Sequence, residues 1–382
     1  MRRAKWPASS STPVATPLQP SVVYASRDPD ALDAQYEGTH PGYTYAREAH
    51  PNAQVLAGLI DGLEGASGGI VVGSGMAAIT VALLGVLKAG DHVIGADQLY
   101  GRSLRMMTEE LPRMGIETSL VDATDASAVE AALRPETKLI LIETLSNPTL
   151  RMSDLEGILA LRNRGVMVAV DNTFTTPALV KPLEMGADIT IHSVTKMLAG
   201  HSDATLGYVA AKEADLNARF ADLAATLGVT ASPFDCWLGE RGLYSFDLRF
   251  ARASETAARL ADALSDSGKT TKVLYPTRND HPDHNKATRL LAGKGGNMVS
   301  FEIAGGRAES NRLVQALDGI AFAPTLGDIR TTVSHPPSSS HRAMAESGRQ
   351  ALGITEGFFR VSVGCEDADD LISAFLKALD QA

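Results

Sequence analysis

Cysteine is nearly missing from this sequence. Two residues, Cys236 and Cys365, stand far apart among 382 positions and in no CxxC pattern. With so few thiols, neither a disulfide framework nor a thiolate metal site is expected, and the expected location is a reducing cytoplasm. Positive charge is in deficit: 35 Lys and Arg stand against 45 Asp and Glu, a net charge of −10. Nucleic acid and anionic membrane surfaces recruit basic faces, so neither is an expected partner. No apolar run approaches the roughly 18 residues that a spanning helix needs. The opening MRRAKWPASSSTP is basic but lacks an apolar stretch, which argues against a signal peptide. His281 and His284 in HPDH have no third ligand beside them and read as a helix start, so no metal is expected. Internal repeats and low-complexity linkers are lacking too.

Apolar side chains are plentiful, at 44%. The chain is longer than one core usually organises, which predicts two domains. Residues 1–48, rich in Ser, Pro, Thr and Tyr, show no period and read as an extended arm. From about residue 69 strands and helices alternate. GIVVGSG, HVIGAD, ETSLVD, KLILIETL, VMVAVDN, DITIHS and TLGYVA read as strands. MAAITVALLGVLKAG reads as a helix stopped by glycine. GRSLRMMTEELPRMG, ASAVEAALR and SDLEGILALRNRG follow as helices, the last with Ser153 as its N-cap candidate. Short apolar strands between helices predict an α/β domain over 49–247, its sheet mostly parallel and covered on both faces. A long helix over about 246–267 leads into a smaller C-terminal α/β domain, 248–382, with strands in NMVSFEI and GFFRVSVG.

Functional groups of such a sheet belong at the carboxyl ends of its strands. Gly73–Met76, Asp97–Gly101, Glu143–Pro148, Asp171–Thr173 and Ser193–Lys196 all fall there. One reading is a dinucleotide site. GSGMAA, 73–78, fits G-x-G-x-x-A, and Asp97 ends the next strand, 22 residues past Gly75. An NAD-dependent oxidoreductase is therefore the alternative from another class. It leaves Lys196 and Asp171 without work, and its motif lies behind an irregular arm. Both readings share an anion site, because a helix N-terminus presents free N–H groups and the positive end of its dipole.

Pyridoxal phosphate makes different demands: a lysine for a Schiff base, a carboxylate for the ring nitrogen, an anion cradle and a flat group for stacking. Lys196 is the amine, and burial among apolar strands lowers a lysine's pKa toward the nucleophilic form. Asp171 closes VMVAVD and suits the ring nitrogen, with Thr173 beside it. Gly75, Met76, Ser193 and Thr195 supply donors for phosphate, and Tyr100 a ring to stack.

SVTKMLAGHSD resembles the Ser-x-Thr-Lys-x-x-x-Gly-His-Ser-Asp signature of the Cys/Met-metabolism family of pyridoxal-phosphate enzymes. That family holds cystathionine γ-synthase, cystathionine β- and γ-lyases, methionine γ-lyase and the O-acylhomoserine sulfhydrylases. YTYAR, SGMAAI, LYG, ETLSNP, VDNTFTTP, SPFD, RGL and FRVSVGCED match in order, from about residue 40 to the C-terminus. The resemblance implies an aspartate-aminotransferase-like, type I fold and a homotetramer of tight dimers. It implies that Lys196 holds the cofactor and moves protons, Asp171 pairs with the ring nitrogen, and Tyr100 stacks and serves as acid or base. Tyr45 and Arg47 would reach the neighbouring subunit's phosphate, so the site requires a homodimer. Arg360 would clamp the α-carboxylate of an amino-acid substrate, with Asn147 near it.

The implied activity is γ- or β-elimination from a sulfur-containing or related amino acid, with γ-replacement as the alternative. Elimination and replacement share machinery up to the branch, so departures from the family pattern are the guide. Arg-x-x-Asn-Pro-Thr is here REAHPN, placing His50 and Asn52 near the expected subunit contact, and the arm is short. Ser-Leu-Gly is TLGD, with Thr325 at the substrate. Arg330 stands where transsulfuration members often carry glutamate, and there would disfavour a cationic distal group. Arg102, in LYGRS, replaces a smaller residue of the sulfur-amino-acid γ-lyases.

Overall fold

Seven short strands form the larger sheet: β1 (Ile70–Val72), β2 (His92–Ala96), β3 (Glu117–Val121), β4 (Thr137–Glu143), β5 (Met167–Asp171), β6 (Ile189–His192) and β7 (Gly207–Ala211), in the order β1-β7-β6-β5-β4-β2-β3. The computed structural model describes residues 9–342 and 344–382, so the first eight positions of the expected arm lie outside it. β2 to β6 run parallel, and β7 is antiparallel to both β6 and β1. β2, β6 and β7 are buried throughout, which explains why they read as unbroken apolar runs. β3, at the sheet edge, has exposed and half-buried positions instead. No helix separates β6 from β7. A loop over 193–206 turns the chain back beside β6, and that loop carries Lys196.

The helices follow the sequence with local corrections. Gly75–Val86 is capped by Ser74 and ends at Leu87, whose extended backbone stops it three residues before Gly90. The helix after β2 is continuous but contains a π-helical turn, Met106–Glu110. Asp154, not Ser153, caps the helix Leu155–Ala160, because the Ser153 hydroxyl donates to the Glu143 carbonyl at 2.6 Å. Among its described residues the arm holds one helix, Pro29–Tyr36. It is tied down where Trp237 Nε1 donates to the Thr16 carbonyl at 2.9 Å and Gln19 N donates to Asn52 Oδ1 at 2.9 Å.

The second sheet is built from β8 (Thr270–Leu274), β9 (Met298–Ile303), β10 (Ala321–Phe322), β11 (Thr332–Ser334) and β12 (Phe358–Ser362), in the order β10-β11-β12-β9-β8. All its pairs are antiparallel except β10 with β11. The helix Phe246–Asp266 joins the two cores. Phe246 and Phe250 pack into the larger one, while Ala257, Leu260 and Leu264 face Phe301, Phe359 and Phe375 in the smaller. The expected boundary at 247/248 falls in its first turn. This joint sets Arg360, on β12, opposite the strand ends of the larger sheet.

Candidate active site

A cavity of about 1270 Å³ opens between those strand ends and the C-terminal segments. Gly75, Met76, Tyr100, Asn147, Asp171, Thr173, Ser193, Thr195, Lys196, Thr325 and Arg360 all line it. Residues spread over nearly 300 positions meet there because most follow strand ends or begin helices on one edge of the larger sheet, while Thr325 and Arg360 come from the C-terminal part opposite it.

The anion cup starts at Ser74, whose Oγ accepts from Ala77 N at 3.1 Å. Gly75 and Met76 open the helix, and no intrahelical carbonyl is available to their N–H groups. A Cβ on Gly75 would lie 2.7 Å from Ser193 Cβ, and one on Gly207 would collide with the Ser74 carbonyl oxygen. Two glycines thus press the helix start onto β7 and onto the loop after β6. Ser193 N donates to Thr173 Oγ1 at 2.8 Å. Thr195 lines the cavity and also pins the loop: its hydroxyl accepts from Leu206 N at 2.8 Å and lies 3.1 Å from the Leu206 carbonyl. Gly75→Ala should weaken pyridoxal phosphate binding about tenfold or more, since overpacking of this kind costs about 1–3 kcal/mol; a cofactor titration of the folded variant measures it.

Lys196 is fixed through its backbone. Gly200 N donates to its carbonyl at 2.8 Å, and Arg249 donates to the next two carbonyls, of Met197 at 3.0 Å and Leu198 at 3.1 Å. No acid pairs with the amine among the described residues. Burial, helped by the charge of Arg360, pushes its pKa below that of an ordinary lysine.

Asp171 accepts on Oδ1 from Thr173 N at 3.0 Å and Thr173 Oγ1 at 2.5 Å. Beside it in register on β4 stands Glu143, which accepts from Tyr100 N at 2.7 Å and so fixes the tyrosine's backbone at the start of the helix after β2. Burial raises the pKa of both carboxyls, and Asp171 raises that of Glu143 further. Two buried neighbours do not both ionise. Two Thr173 bonds favour the ionised form of Asp171, and the N–H groups of Tyr100 and Asn147 favour that of Glu143. The pKa of Glu143 is raised further, so the proton belongs on Glu143 and the charge on Asp171. Sequence reasoning gave Glu143 no role, although an acid closing KLILIE at the functional edge of the sheet was its signal.

Arg360 is buried on β12. Its Nη1 donates to Asn147 Oδ1 at 2.6 Å and its Nη2 to the Thr325 carbonyl at 2.9 Å, while Nε is buried without a partner. Thr325 therefore contributes its backbone rather than its hydroxyl. Burial lowers the guanidinium to about 10, which leaves it cationic at neutral pH.

Three expected residues lie elsewhere. Arg330 turns away from the cavity: its side chain is 79% exposed and its Nε donates to Asp328 Oδ1 at 3.1 Å. The buried Asp328 carboxylate two residues earlier captures it, so the expected substrate contact is not made. Tyr45 and Arg47 do not line the chain's own cavity. Arg47 sits 5.5 Å over the Tyr45 ring, donates to the Ala225 carbonyl at 3.2 Å and pairs with Glu48. His50 caps the helix Pro51–Glu64 through Nδ1, and Asn52 is buried against the arm. Arg102 is at the cavity wall, exposed.

The set fits pyridoxal phosphate: an unpaired amine, a carboxylate anchored on one oxygen, an N–H cup that a Cβ would fill, and a guanidinium with an unmet donor. Comparison with known proteins agrees. A cystathionine beta-lyase of Bacillus subtilis is 40% identical over 89% of this chain and 86% of its own length. An L-methionine gamma-lyase of Fusobacterium nucleatum subsp. polymorphum is 38% identical over 89% of this chain and 87% of its own. The crystal structure of cystathionine gamma synthase from Xanthomonas oryzae pv. oryzae in complex with cystathionine superposes with a TM-score of 0.91, at 35% identity, covering 96% of this chain and 93% of that one. These matches answer the dinucleotide alternative, for residues 3–380 match the family described as Cys/Met metabolism PLP-dependent enzyme. The chain belongs to that family: it is a type I pyridoxal-phosphate enzyme of transsulfuration-type chemistry.

Proposed function

We propose that this enzyme eliminates the γ- or β-substituent of a sulfur-containing or related amino acid, releasing a 2-oxo acid and ammonia. The observation that carries the reading is the placement of Arg360, Lys196 and Asp171 around one cavity. Arg360 takes the α-carboxylate with a fork already oriented by Asn147 and Thr325, and with Nε in reserve. Lys196, biased toward the neutral amine, takes up and returns protons at the substrate carbons. Asp171 balances the ring nitrogen, and Tyr100, on the same wall, gives a ring to stack against and a hydroxyl near the reacting carbons. Gly75, Met76 and Ser193 hold the phosphate. Pyridoxal phosphate supplies, when bound, an aldehyde that condenses with amines and a ring that accepts the electrons left at Cα.

The second reading is γ-replacement, as in an O-acylhomoserine sulfhydrylase or a γ-synthase. Arg102 at the cavity wall is the observation in its favour, because a cation there suits an anionic acyl leaving group. Arg330, facing solvent, supports neither branch. Incubation with L-cystathionine, L-methionine and O-acylated homoserines, with and without sulfide, separates the two. We expect 2-oxo acid without any added nucleophile; homocysteine formed from an acyl ester only when sulfide is present would reverse the assignment.

The active unit in this reading is a homodimer, assembled further into a tetramer. Tyr45 and Arg47 support it, since they stand outside the chain's own cavity, on a partly exposed segment that a neighbour's cavity could meet. A cytoplasmic location belongs to the same reading and rests on the two unpaired thiols, Cys236 and Cys365. Among the described residues no helix is long and apolar enough to cross a membrane.

A further inference from the structure

Behind the loop that carries Lys196 stands a buried cation with neutral partners. Arg249, one turn into the helix Phe246–Asp266, is 9% exposed. Its Nε donates to Ser245 Oγ at 3.0 Å and its Nη1 to the Met197 carbonyl at 3.0 Å. Its Nη2 donates to the carbonyls of Leu198 at 3.1 Å and Gly242 at 2.8 Å. Among the described residues no carboxylate forms an ion pair with it. A guanidinium is costly to bury unless its donors are met, and here they are met by the lysine loop on one side and the corner 242–245 on the other.

Residues 194–200 make a single helical turn around Lys196. Ala199 N donates to the Val194 carbonyl at 2.9 Å and Gly200 N to the Lys196 carbonyl at 2.8 Å. The carbonyls of Met197 and Leu198 come at the end of that turn, where a helix leaves its acceptors unmatched, and Arg249 takes both. Gly200, whose φ is 75°, makes room for this: a Cβ there would collide with the guanidinium. The turn is pressed from the opposite side as well. A Cβ on Gly327 would lie 2.6 Å from the Lys196 carbonyl carbon, and Ile329 N donates to the Gly200 carbonyl at 2.8 Å. The chain after Lys196 is therefore held between the backbone of 327–329 and the Arg249 fork. Arg249 does not line the cavity, so whatever it does for the reaction passes through Lys196.

We propose that Arg249 is a positioning residue: by holding the two carbonyls that follow Lys196, it sets where the Lys196 amine stands against the aldehyde of bound pyridoxal phosphate. The proposal rests on Lys196 being the residue that carries the cofactor. It divides the labour of the site. Gly75 and Met76 belong to a different element and take up the phosphate without Arg249, whereas covalent linkage and proton transfer by Lys196 depend on it. A reacting group displaced by about 1 Å can lose about 100-fold in rate.

The test mixes cofactor-free, full-length protein with pyridoxal phosphate. Absorbance follows the yellow band of the linkage, and ultrafiltration measures the total cofactor held at saturation. Arg249→Met keeps the length of the side chain and loses every donor; Arg249→Lys keeps the charge but not the planar fork. In Arg249→Met the total cofactor held should stay close to wild type, while the band forms about tenfold more slowly or worse. Its kcat should fall about 10- to 100-fold with the substrate KM within about twofold, because Arg360 is untouched. Arg249→Lys should recover part of both rates. If both variants form the band and turn over at wild-type rates, whatever their melting temperatures, Arg249 serves stability alone and the proposal is overturned. Loss of total cofactor binding in step with the band would overturn it too, since the residue would then support the whole site. Lys196→Ala is the control: a yellow band there would remove the assignment of Lys196 itself. Should Arg249→Met fail to fold, Arg249→Lys decides the outcome by the same readings.

Discussion

Lys196→Ala is expected to fold, to bind pyridoxal phosphate without the yellow absorbance of the wild-type holoenzyme, and to turn over substrate about 10⁴-fold more slowly or worse. The magnitude follows from losing a covalent nucleophile and a proton-transfer group together, the second alone supplying up to about 10⁴. Folding should survive because the loop is held through its backbone. Arg249 still reaches the carbonyls of Met197 and Leu198, and Thr195 still brackets Leu206. The amine makes no ion pair that its removal would orphan. Absorbance spectra and turnover of the same preparation check both halves; a variant that keeps the yellow band would place the linkage on another lysine.

Arg360→Ala should lower kcat/KM by about 100-fold or more, most of it as a rise in KM. Truncating one side of a buried, hydrogen-bonded charge contact costs about 2–5 kcal/mol, and each 1.4 kcal/mol is about tenfold. Arg360→Lys should recover only part, since an ammonium cannot reproduce a planar fork held by Asn147 and Thr325. The alanine variant also removes a positive neighbour of Lys196. In cofactor-free protein that raises the amine's pKa, so the Lys196 proton should be held to higher pH than in wild type. Steady-state kinetics and NMR of the Lys196 side chain read the two effects, and an unchanged KM would show that the carboxylate binds elsewhere.

Much of the site was legible because its residues sit where chain pattern changes. Lys196, Asp171 and Gly75 each mark the point at which an apolar run gives way to small or polar residues, and a parallel sheet collects such points on one edge. β7 was less legible: its direction depends on whether the link from β6 is a helix or a loop, and its apolar residues are the same either way. Glu143 escaped because a lone acid at the end of an apolar segment looks like a boundary. Only packing shows that Glu143 meets Asp171 in register. Arg330 was misplaced for a local reason, the capture of its guanidinium by Asp328.

Reduction of the cofactor-loaded protein with borohydride, followed by digestion and peptide mass spectrometry, tests the central claim most directly. One phosphopyridoxyl group on the peptide carrying Lys196, and on no other lysine peptide, is the predicted result. The modification on a different lysine, or on none, would contradict it.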